Sequence, residues 1–199
     1  MAKWKNKYRI ESARAPWWDY GSDGGYFITI CTENRKHFFG ECKNGTMTLT
    51  TIGALVQGFW YEIPHHFPFV HLGAFTVMPN HIHGILIIDK AGFVSDDNAT
   101  DDENSTQNDA VGRDEHIPDF RTPAEKRINT QGRHTASSII GSFKSICTKH
   151  INQIYPEQNF EWQERFWDNI IHDDRAFDEI TNYIHLNREK WDKDRFFDK

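Results

Sequence analysis

The sequence has few cysteines and no long apolar run, and both shortages narrow the class of protein. Its 199 residues include three cysteines, Cys31, Cys42 and Cys147, which are widely spaced and form no Cys-x-x-Cys pair. That spacing argues against a disulfide framework or a thiolate zinc site and fits a reducing compartment. The longest aliphatic run, residues 85–88, is far shorter than the roughly 20 residues that cross a membrane.

Apolar residues are also scarce overall. They make up 38% of the chain, although 14% of the chain is aromatic, and aromatic side chains bury large areas. The length suits one domain, or one domain with an insertion. Residues 1–7 lead into no apolar segment of the kind found in signal peptides. We therefore expect a soluble, cytoplasmic protein with no membrane partner.

The acidic residues are concentrated in one segment. Residues 95–115 contain eight acids and the single base Arg113, a charge of −7 in a chain whose total is −6, so the remainder carries +1. Residues from about 91 to 133 also lack any hydrophobic period, which predicts a flexible acidic insert within one domain spanning 1–199. The folded remainder is nearly neutral and can carry a basic face.

Strand-like and helix-like patterns alternate along the rest of the chain. Residues 26–32, 72–77, 81–88 and 166–171 are rich in β-branched and aromatic residues, and 38–49 resembles a hairpin with Asn44-Gly45 in a type I′ turn. Helical spacing begins near Thr51, capped by Thr50 or Thr51, and should end at Pro64. Further helices are expected from about 135 to 151 and from about 175 to 191, with a fraying charged tail after them.

The order of these elements predicts an α+β fold. Two split β-α-β units give a ferredoxin-like or RRM-like four-stranded antiparallel sheet backed by helices. The hairpin is an addition to that plan, and the last helix follows the final strand.

Two histidines stand at the entrance to one predicted strand. His81 and His83 alternate with Ile82, so both project from the same face of an extended chain. Two imidazoles on one strand can bind a divalent metal when a third ligand arrives from elsewhere. The pair alone is weak evidence, because a chain with 11 histidines contains His-x-His by chance roughly 0.6 times.

The last predicted helix supplies the remaining chemistry. Tyr183 and Asn187 are four residues apart and share one helix face. Asn187 can offer an oxygen to a hard metal ion, which would hold Tyr183 beside the same ion. Attack of a tyrosine on a phosphodiester forms a covalent phosphotyrosine, which suits strand breakage and transfer. Taken alone, Tyr183 fits a core aromatic better, since its spacing matches that of Ile180 and Ile184.

Basic residues offer phosphate contacts in two places. An N-terminal arm interleaves aromatics with Lys3, Lys5, Lys7, Arg9 and Arg14, and the second predicted helix, about 135–151, carries Lys144 and Lys149 on a basic face. We interpret both groups as candidate DNA-binding residues, while a solvated tail explains the arm equally well.

A family resemblance rests on these residues. The block Val77-Met78-Pro79-Asn80-His81-Ile82-His83-Gly84 resembles the His-hydrophobic-His (HUH) motif of single-tyrosine transposases, within which the chain is most similar to the REP-associated tyrosine transposases. Residues 26–32, 140–145, 167–171 and 183–187 support the resemblance, which covers about 8–191 apart from the acidic insert. The Met-Pro-Asn-His-x-His block combined with Tyr-x-x-x-Asn is much more specific than either half.

The resemblance implies a Mg²⁺- or Mn²⁺-dependent endonuclease and strand transferase acting on single-stranded DNA, often beside a hairpin. By that resemblance His81 and His83 bind the metal, Asn187 completes or supports that site, and Tyr183 is the nucleophile that forms a 5′-phosphotyrosine. It leaves open a homodimer, with or without exchange of the tyrosine helix. Many such proteins have proline after the asparagine, whereas Arg188 stands here and lets the helix continue.

Two other function classes remain open from the sequence. The same sheet and basic helix suit a catalytically silent nucleic-acid-binding module. A metal hydrolase is the other alternative, with His81, His83 and one of three loop histidines binding zinc while water attacks. The candidate loop histidines are His65, His66 and His71.

Overall fold

A computed structural model describes residues 22–91 and 134–197, together with the backbone of residues 3–4 and 7–8. Almost all of the predicted acidic insert lies outside the described residues. Lys5, Arg9 and Arg14 of the basic arm also lie outside them, while Lys3–Trp4 (β1) pairs antiparallel with Lys7–Tyr8 (β2).

The remaining elements follow the predicted order. In chain order they are β3 (Gly24–Cys31), β4 (Gly40–Lys43), β5 (Thr46–Leu49), α1 (Thr51–Tyr61), α2 (Ile63–His66), β6 (Val70–Val77), β7 (His81–Ile88), α3 (Ala136–Ile154), β8 (Trp167–Ile171) and α4 (Asp174–Leu186). The main sheet has the order β6-β7-β3-β8, and every neighbouring pair is antiparallel. The predicted α+β, ferredoxin-like class is confirmed.

The turns and helix starts show how the sequence sets this order. Asn44 and Gly45 join β4 to β5 with φ angles of 51° and 74°, the two positive values that a type I′ turn requires. Thr50 caps α1 by accepting a hydrogen bond from the Gly53 amide, at 3.1 Å. The predicted end of this helix at Pro64 is wrong. The helix α1 stops at Tyr61, and Pro64 lies in the first turn of α2, where its missing N–H is tolerated.

The two faces of the sheet have different roles. Gly84 and its neighbours on one face of β7 pack against α1, where a Cβ on Gly84 would lie 2.9 Å from a ring carbon of Trp60. The indole of Trp60 also stacks on Phe75 of β6 and meets Phe143 of α3 edge-on, so this face carries the main core. Because side chains alternate along a strand, His81 and His83 lie on the opposite face, on the side of α4.

The end of the chain differs from the expectation. The helix α4 ends at Leu186 rather than Trp191, and Asn187 is its C-cap residue. The predicted fraying is not seen in residues 187–197, which hold two buried rings: Trp191 is 6% and Phe196 is 2% exposed. Both rings lie against His81, with centroid distances of 5.9 and 4.7 Å. Burial of these rings outweighs the charge of the segment.

Among the described residues, no helix combines the length and apolar character that crossing a bilayer requires.

Candidate metal and tyrosine site

The histidine pair lies at the start of β7, deep under the C-terminal segment. His81 and His83 are 0% and 1% exposed, and their Nε2 atoms are 3.1 Å apart. In the register of the sheet, His83 pairs with Thr29 of β3 and His81 pairs with Cys31. This separation suits one shared proton or one shared cation, because two nitrogen ligands about 2.1 Å from an ion at a right angle are about 3 Å apart.

Asn80 fixes the orientation of the His81 ring. The Nδ2 of Asn80 donates a hydrogen bond to the carbonyl oxygen of Phe196 at 2.8 Å, which leaves its Oδ1 facing His81 Nδ1 at 2.8 Å. Since an amide oxygen only accepts, His81 Nδ1 carries the proton and donates. The Nε2 lone pair of His81 therefore points into the shared site, which is the form that binds a metal.

Thr29 allows either tautomer of the His83 imidazole. Its hydroxyl is 2.8 Å from His83 Nδ1 and can either donate to that nitrogen or accept from it. In the first case His83 Nε2 carries the proton and donates toward His81. In the second case Nδ1–H donates to Thr29 and leaves Nε2 as a ligand. The hydroxyl thus supports both the proton-sharing and the metal-binding tautomer of His83.

Both imidazoles are neutral at physiological pH. Burial lowers the pKa of His83 to about 3, with a smaller contribution from Arg195. Burial, followed by the neighbouring His83 and Arg195, holds the pKa of His81 well below its usual value. A neutral imidazole is the metal-binding form, so the pair needs no deprotonation step near pH 7.

We expect the metal-free protein to lose stability as the pH falls. In the unfolded chain both histidines take up protons near pH 6.5, while His83 in the folded chain does so only near pH 3. The unfolded state therefore binds more protons in this window, so the free energy of unfolding is highest above pH 6.5 and decreases as the pH falls toward 3. Denaturant unfolding at pH 7 and pH 5 measures the effect, and a His81→Gln/His83→Gln protein should show a smaller change. An equal change in both proteins contradicts the prediction.

Tyr183 reaches the histidine pair from α4. Its hydroxyl lies 3.3 Å from His83 Nε2, and its ring contacts the ring of Phe27 edge-on at a centroid distance of 5.9 Å. Tyr183 is 42% exposed, so part of the residue is accessible from solvent while its hydroxyl contacts the histidine pair. Burial and then the Asp194 carboxylate raise the pKa of Tyr183, while Arg195 and Asn187 partly offset them. The phenol is therefore protonated at neutral pH.

Asp194 is a candidate metal ligand that the sequence patterns did not reveal. Ligand atoms of His81, His83 and Asp194 all lie within 4.8 Å of one another, and these three residues can hold a metal ion. The charged neighbours of Asp194 predict a fraying tail rather than a buried site. The signal that could have found it is the aromatic residues around it, which require burial.

Asn187, the predicted third ligand, lies beside Asp194. Its Nδ2 donates a hydrogen bond to Asp194 Oδ2 at 3.1 Å. Its Oδ1 is buried and has no hydrogen-bond partner. A buried oxygen without a partner is costly, and a cation would satisfy it. Two neutral imidazoles, one carboxylate and one amide oxygen are a donor set that fits a divalent cation.

The segment that carries Asn187 and Asp194 is held from two sides. Arg188 Nε donates to Thr76 Oγ1 of β6 at 3.0 Å, and the Arg188 carbonyl accepts from Cys42 Sγ of the hairpin at 3.4 Å. The expectation that α4 continues through Arg188 is therefore wrong. Through these contacts with β6 and with the β4–β5 hairpin, the chain folds back over the histidines.

The lysines of α3 are not brought to this site. The helix α3 packs on the core face with Trp60, so Lys144 and Lys149 lie on the other side of the sheet from His83. The ammonium of Lys144 donates to the carbonyls of Gln163 and Glu164, at 2.7 and 3.0 Å, and burial lowers its pKa. Their assignment to DNA binding stays a prediction without support from this geometry.

The loop histidines of the hydrolase alternative are also remote from the pair. His65 is exposed and bonded to Glu62 at 2.9 Å, and His71 pairs in register with Ile87, near the far end of β7. Within residues 22–91 and 134–197, the group of potential ligands that includes the histidine pair contains Asp194 and none of these loop histidines.

Two arginines place positive charge beside the pair. Arg195 and Arg35 both contribute to lowering the pKa of His81, so their fields reach its ring. The guanidinium of Arg195 lies 4.5 Å from the ring centre of Phe196, and that of Arg35 lies 5.6 Å from it. A cationic rim around a metal-binding group favours an anionic ligand such as phosphate.

We expect the Thr29 hydroxyl to contribute to metal affinity. Thr29→Val removes the acceptor for His83 Nδ1–H, so Mn²⁺ affinity should fall about 10–100-fold, the usual effect of losing an outer partner of a ligating histidine. Titration of free Mn²⁺ by electron paramagnetic resonance measures it. Thr29→Ser should restore the affinity, and a Thr29→Val protein with unchanged affinity would show that the hydroxyl plays no part.

Comparison with known proteins places the chain in a family. No protein-family model matches it. A protein of Haemophilus influenzae, described as uncharacterized, is 30% identical over 190 residues, which cover 94% of this chain and 92% of that protein. The chain belongs to the family of this Haemophilus protein.

The fold has a solved counterpart. The structure of a REP-associated tyrosine transposase bound to a REP hairpin matches with a TM-score of 0.53 and 17% identity, over 92% of this chain and 74% of that one. At this identity the likeness concerns the fold. The relationship to the REP-associated tyrosine transposases that the sequence motifs predict is confirmed at that level.

Proposed function

We propose that this protein is a metal-dependent single-stranded DNA endonuclease and strand transferase that uses Tyr183 as its nucleophile. One observation carries the proposal: the Tyr183 hydroxyl lies 3.3 Å from Nε2 of His83, which lies 3.1 Å from Nε2 of His81. A nucleophile and a metal-binding pair thus converge from opposite ends of the fold. The transposase fold supports the same reaction class.

The reaction begins with attack of the Tyr183 oxygen on a phosphodiester phosphorus. The bond from phosphorus to the 3′-oxygen breaks, the phenol proton passes to solvent, and the released 3′-oxygen takes up a proton. The product is a 5′-phosphotyrosine, which keeps the phosphodiester energy for rejoining to another 3′-hydroxyl. This reversal completes strand transfer and accounts for a role in DNA transposition and recombination.

Several residues support the reacting group. The Phe27 ring and His83 position the phenol, and Arg195 and Asn187 partly offset the burial and the Asp194 charge that raise its pKa. His81, His83, Asp194 and the unpartnered Oδ1 of Asn187 would hold Mg²⁺ or Mn²⁺. Such an ion, when bound, neutralises phosphate charge and lowers the demand on a weak nucleophile.

Single-stranded DNA next to a hairpin is the proposed substrate. The rim formed by Arg35 and Arg195 supplies positive charge where a scissile phosphate would approach. The solved structure with this fold holds a REP hairpin, which supports the same ligand class here. Tyr183 meets His83 within one chain, so the proposed site needs no exchange of α4 in a homodimer.

The test uses hairpin oligonucleotides with single-stranded flanks, labelled separately at each end and incubated with Mg²⁺ or Mn²⁺. Denaturing gels should show a covalent protein–DNA adduct that retains the 3′-end label, because the 5′-phosphate of the downstream fragment joins the tyrosine. Cleavage without an adduct would indicate water attack and the hydrolase alternative. Binding without cleavage in either metal would indicate the silent nucleic-acid-binding module.

A further inference from the structure

An exposed indole lies on the same face of the sheet as the candidate site. Trp167 is 40% exposed although the surrounding rings are buried. It pairs in register with Thr29, which pairs in turn with His83, so the three residues form one row across β8, β3 and β7. Neighbouring strands are about 4.8 Å apart, which places Trp167 roughly 10 Å from His83 along the sheet. One nucleotide can bridge that distance.

Aromatic rings and a guanidinium connect Trp167 to the histidine pair. Phe196 lies between them, with centroid distances of 5.7 Å to Trp167 and 4.7 Å to His81. The exposed Arg195 covers Phe196 at 4.5 Å but lies 5.8 Å from the Trp167 ring centre. Arg195 is therefore closer to Phe196 than to Trp167, and Trp167 keeps 40% of its surface accessible to a ligand.

The edge strand β8 extends this surface along the sheet. Asn169 pairs in register with Phe27, the residue that contacts Tyr183, and its side chain is exposed on the same face as Trp167. The strand thus presents a stacking group and an amide side by side along the site. An exposed aromatic side chain beside a cationic group is the combination that binds bases and phosphates of a single strand.

We propose that Trp167, Arg195 and Asn169 form a subsite for the single-stranded DNA nucleotide next to the scissile phosphate. The indole stacks on its base, Arg195 pairs with its phosphate, and Asn169 hydrogen-bonds a base edge farther along β8. The assignment rests on the proposed function, because it takes the substrate to be DNA and the reacting phosphate to lie at the histidine pair. Charge complementarity and the open indole favour a nucleic acid strand over an apolar partner.

The test separates this subsite from the cleavage reaction. A thymidine-rich 20-residue oligonucleotide containing 5-iodouracil is irradiated with Tyr183→Phe protein at low salt without added metal, so no cleavage is required. Iodouracil crosslinks to aromatic side chains on which it stacks, and peptide mass spectrometry identifies the site. We expect the crosslink on Trp167. A crosslink confined to other aromatic residues, or a DNA strand that does not bind, overturns the proposal.

Affinity measurements by fluorescence anisotropy provide the second readout. Trp167→Ala should weaken binding of the same oligonucleotide about 5- to 150-fold, the effect of losing one stacked base. Trp167→Phe should recover most of the affinity. Tyr61→Ala is the matched control, because Tyr61 is 52% exposed on α1, on the other side of the sheet, and its loss should change nothing. Equal losses in the Trp167→Ala and Tyr61→Ala proteins contradict the proposal.

The salt dependence of oligonucleotide binding tests the role of Arg195, and a comparison of DNA with RNA tests the assignment to DNA. Arg195→Gln should lower the slope of log affinity against log salt concentration by about 0.7, while Trp167→Ala should leave the slope unchanged. A matched RNA strand that binds more tightly, and that alone crosslinks to Trp167, would overturn the assignment to DNA. An adduct-forming protein with no Trp167 crosslink would refute the subsite alone, and a Trp167 crosslink without strand cleavage would refute the nuclease alone.

Discussion

Replacing Tyr183 with phenylalanine is expected to abolish the covalent protein–DNA adduct and to reduce strand cleavage by about 10³-fold or more. Removal of a covalent nucleophile takes away the group that makes the intermediate, and comparable losses in other enzymes reach that size. Only the hydroxyl is lost, because the phenylalanine ring can keep the edge-on contact with Phe27. Adduct formation is measured on denaturing gels, and cleavage is measured by release of the labelled fragment.

Because Tyr183→Phe is a conservative substitution, misfolding of the variant protein is easy to exclude. Tyr183 is 42% exposed, and its hydroxyl bond to His83 Nε2 is long, at 3.3 Å, so the free energy of unfolding should change little. Affinity for uncleaved single-stranded DNA should also stay within a few-fold. Tyr61→Phe is the matched control for the loss of an exposed phenol elsewhere. Cleavage that survives Tyr183→Phe would mean that water, rather than tyrosine, attacks the phosphate.

The fold could be predicted from local sequence patterns because those patterns agree with the tertiary structure. The alternation in β7 places Ile82 in the core and His81 on the other face, as a strand requires. The Asn44-Gly45 turn also depends only on neighbouring residues. Pro64 misled the prediction, because proline is as compatible with the first turn of a new helix as with the end of the previous one.

The site was predictable only in part, because its members are separated along the chain. His81, His83 and Tyr183 could be selected by residue type and spacing, and the structure brings them together. Asp194 could not be selected by residue type and spacing, and the neighbouring aromatic residues Trp191 and Phe196 signal only that the segment is buried, not which site the carboxylate joins. Its position depends on long-range burial of Phe196 and on the Asn80 hydrogen bond to the Phe196 carbonyl. No local pattern records either contact.

The same long-range arrangement orients the histidine pair in a form that can bind a metal. The C-terminal segment supplies Asp194, orients Asn80 through the Phe196 carbonyl, and thereby sets the tautomer of His81. The C-terminal segment thus adds a carboxylate, a hydrogen bond that orients Asn80 and an aromatic cover to the histidine pair of β7. Removing a histidine should therefore affect metal binding far more than it affects the fold of the sheet.

We expect His81→Ala to remove metal binding and, with it, strand cleavage. Even outer partners of ligating histidines are worth about 10–100-fold in affinity or activity, so loss of an imidazole whose lone pair points into the site should exceed 100-fold. In the unaltered protein, Mn²⁺ at about 100 times its Kd should raise Tm by roughly 5–10 °C, which corresponds to about 2.7 kcal/mol of linked stability. The His81→Ala protein should show no such shift at the same Mn²⁺ concentration.

Two comparisons decide whether His81→Ala loses strand cleavage because it no longer binds the metal. His71→Ala should keep the Mn²⁺-dependent Tm shift, because His71 is exposed and lies on the edge strand β6, paired with the far end of β7. His81→Ala itself should still bind single-stranded DNA without metal, since Trp167 and Arg195 remain in place. A His81→Ala protein that retains the full Tm shift would show that the cation binds elsewhere, and the histidine pair would then be structural.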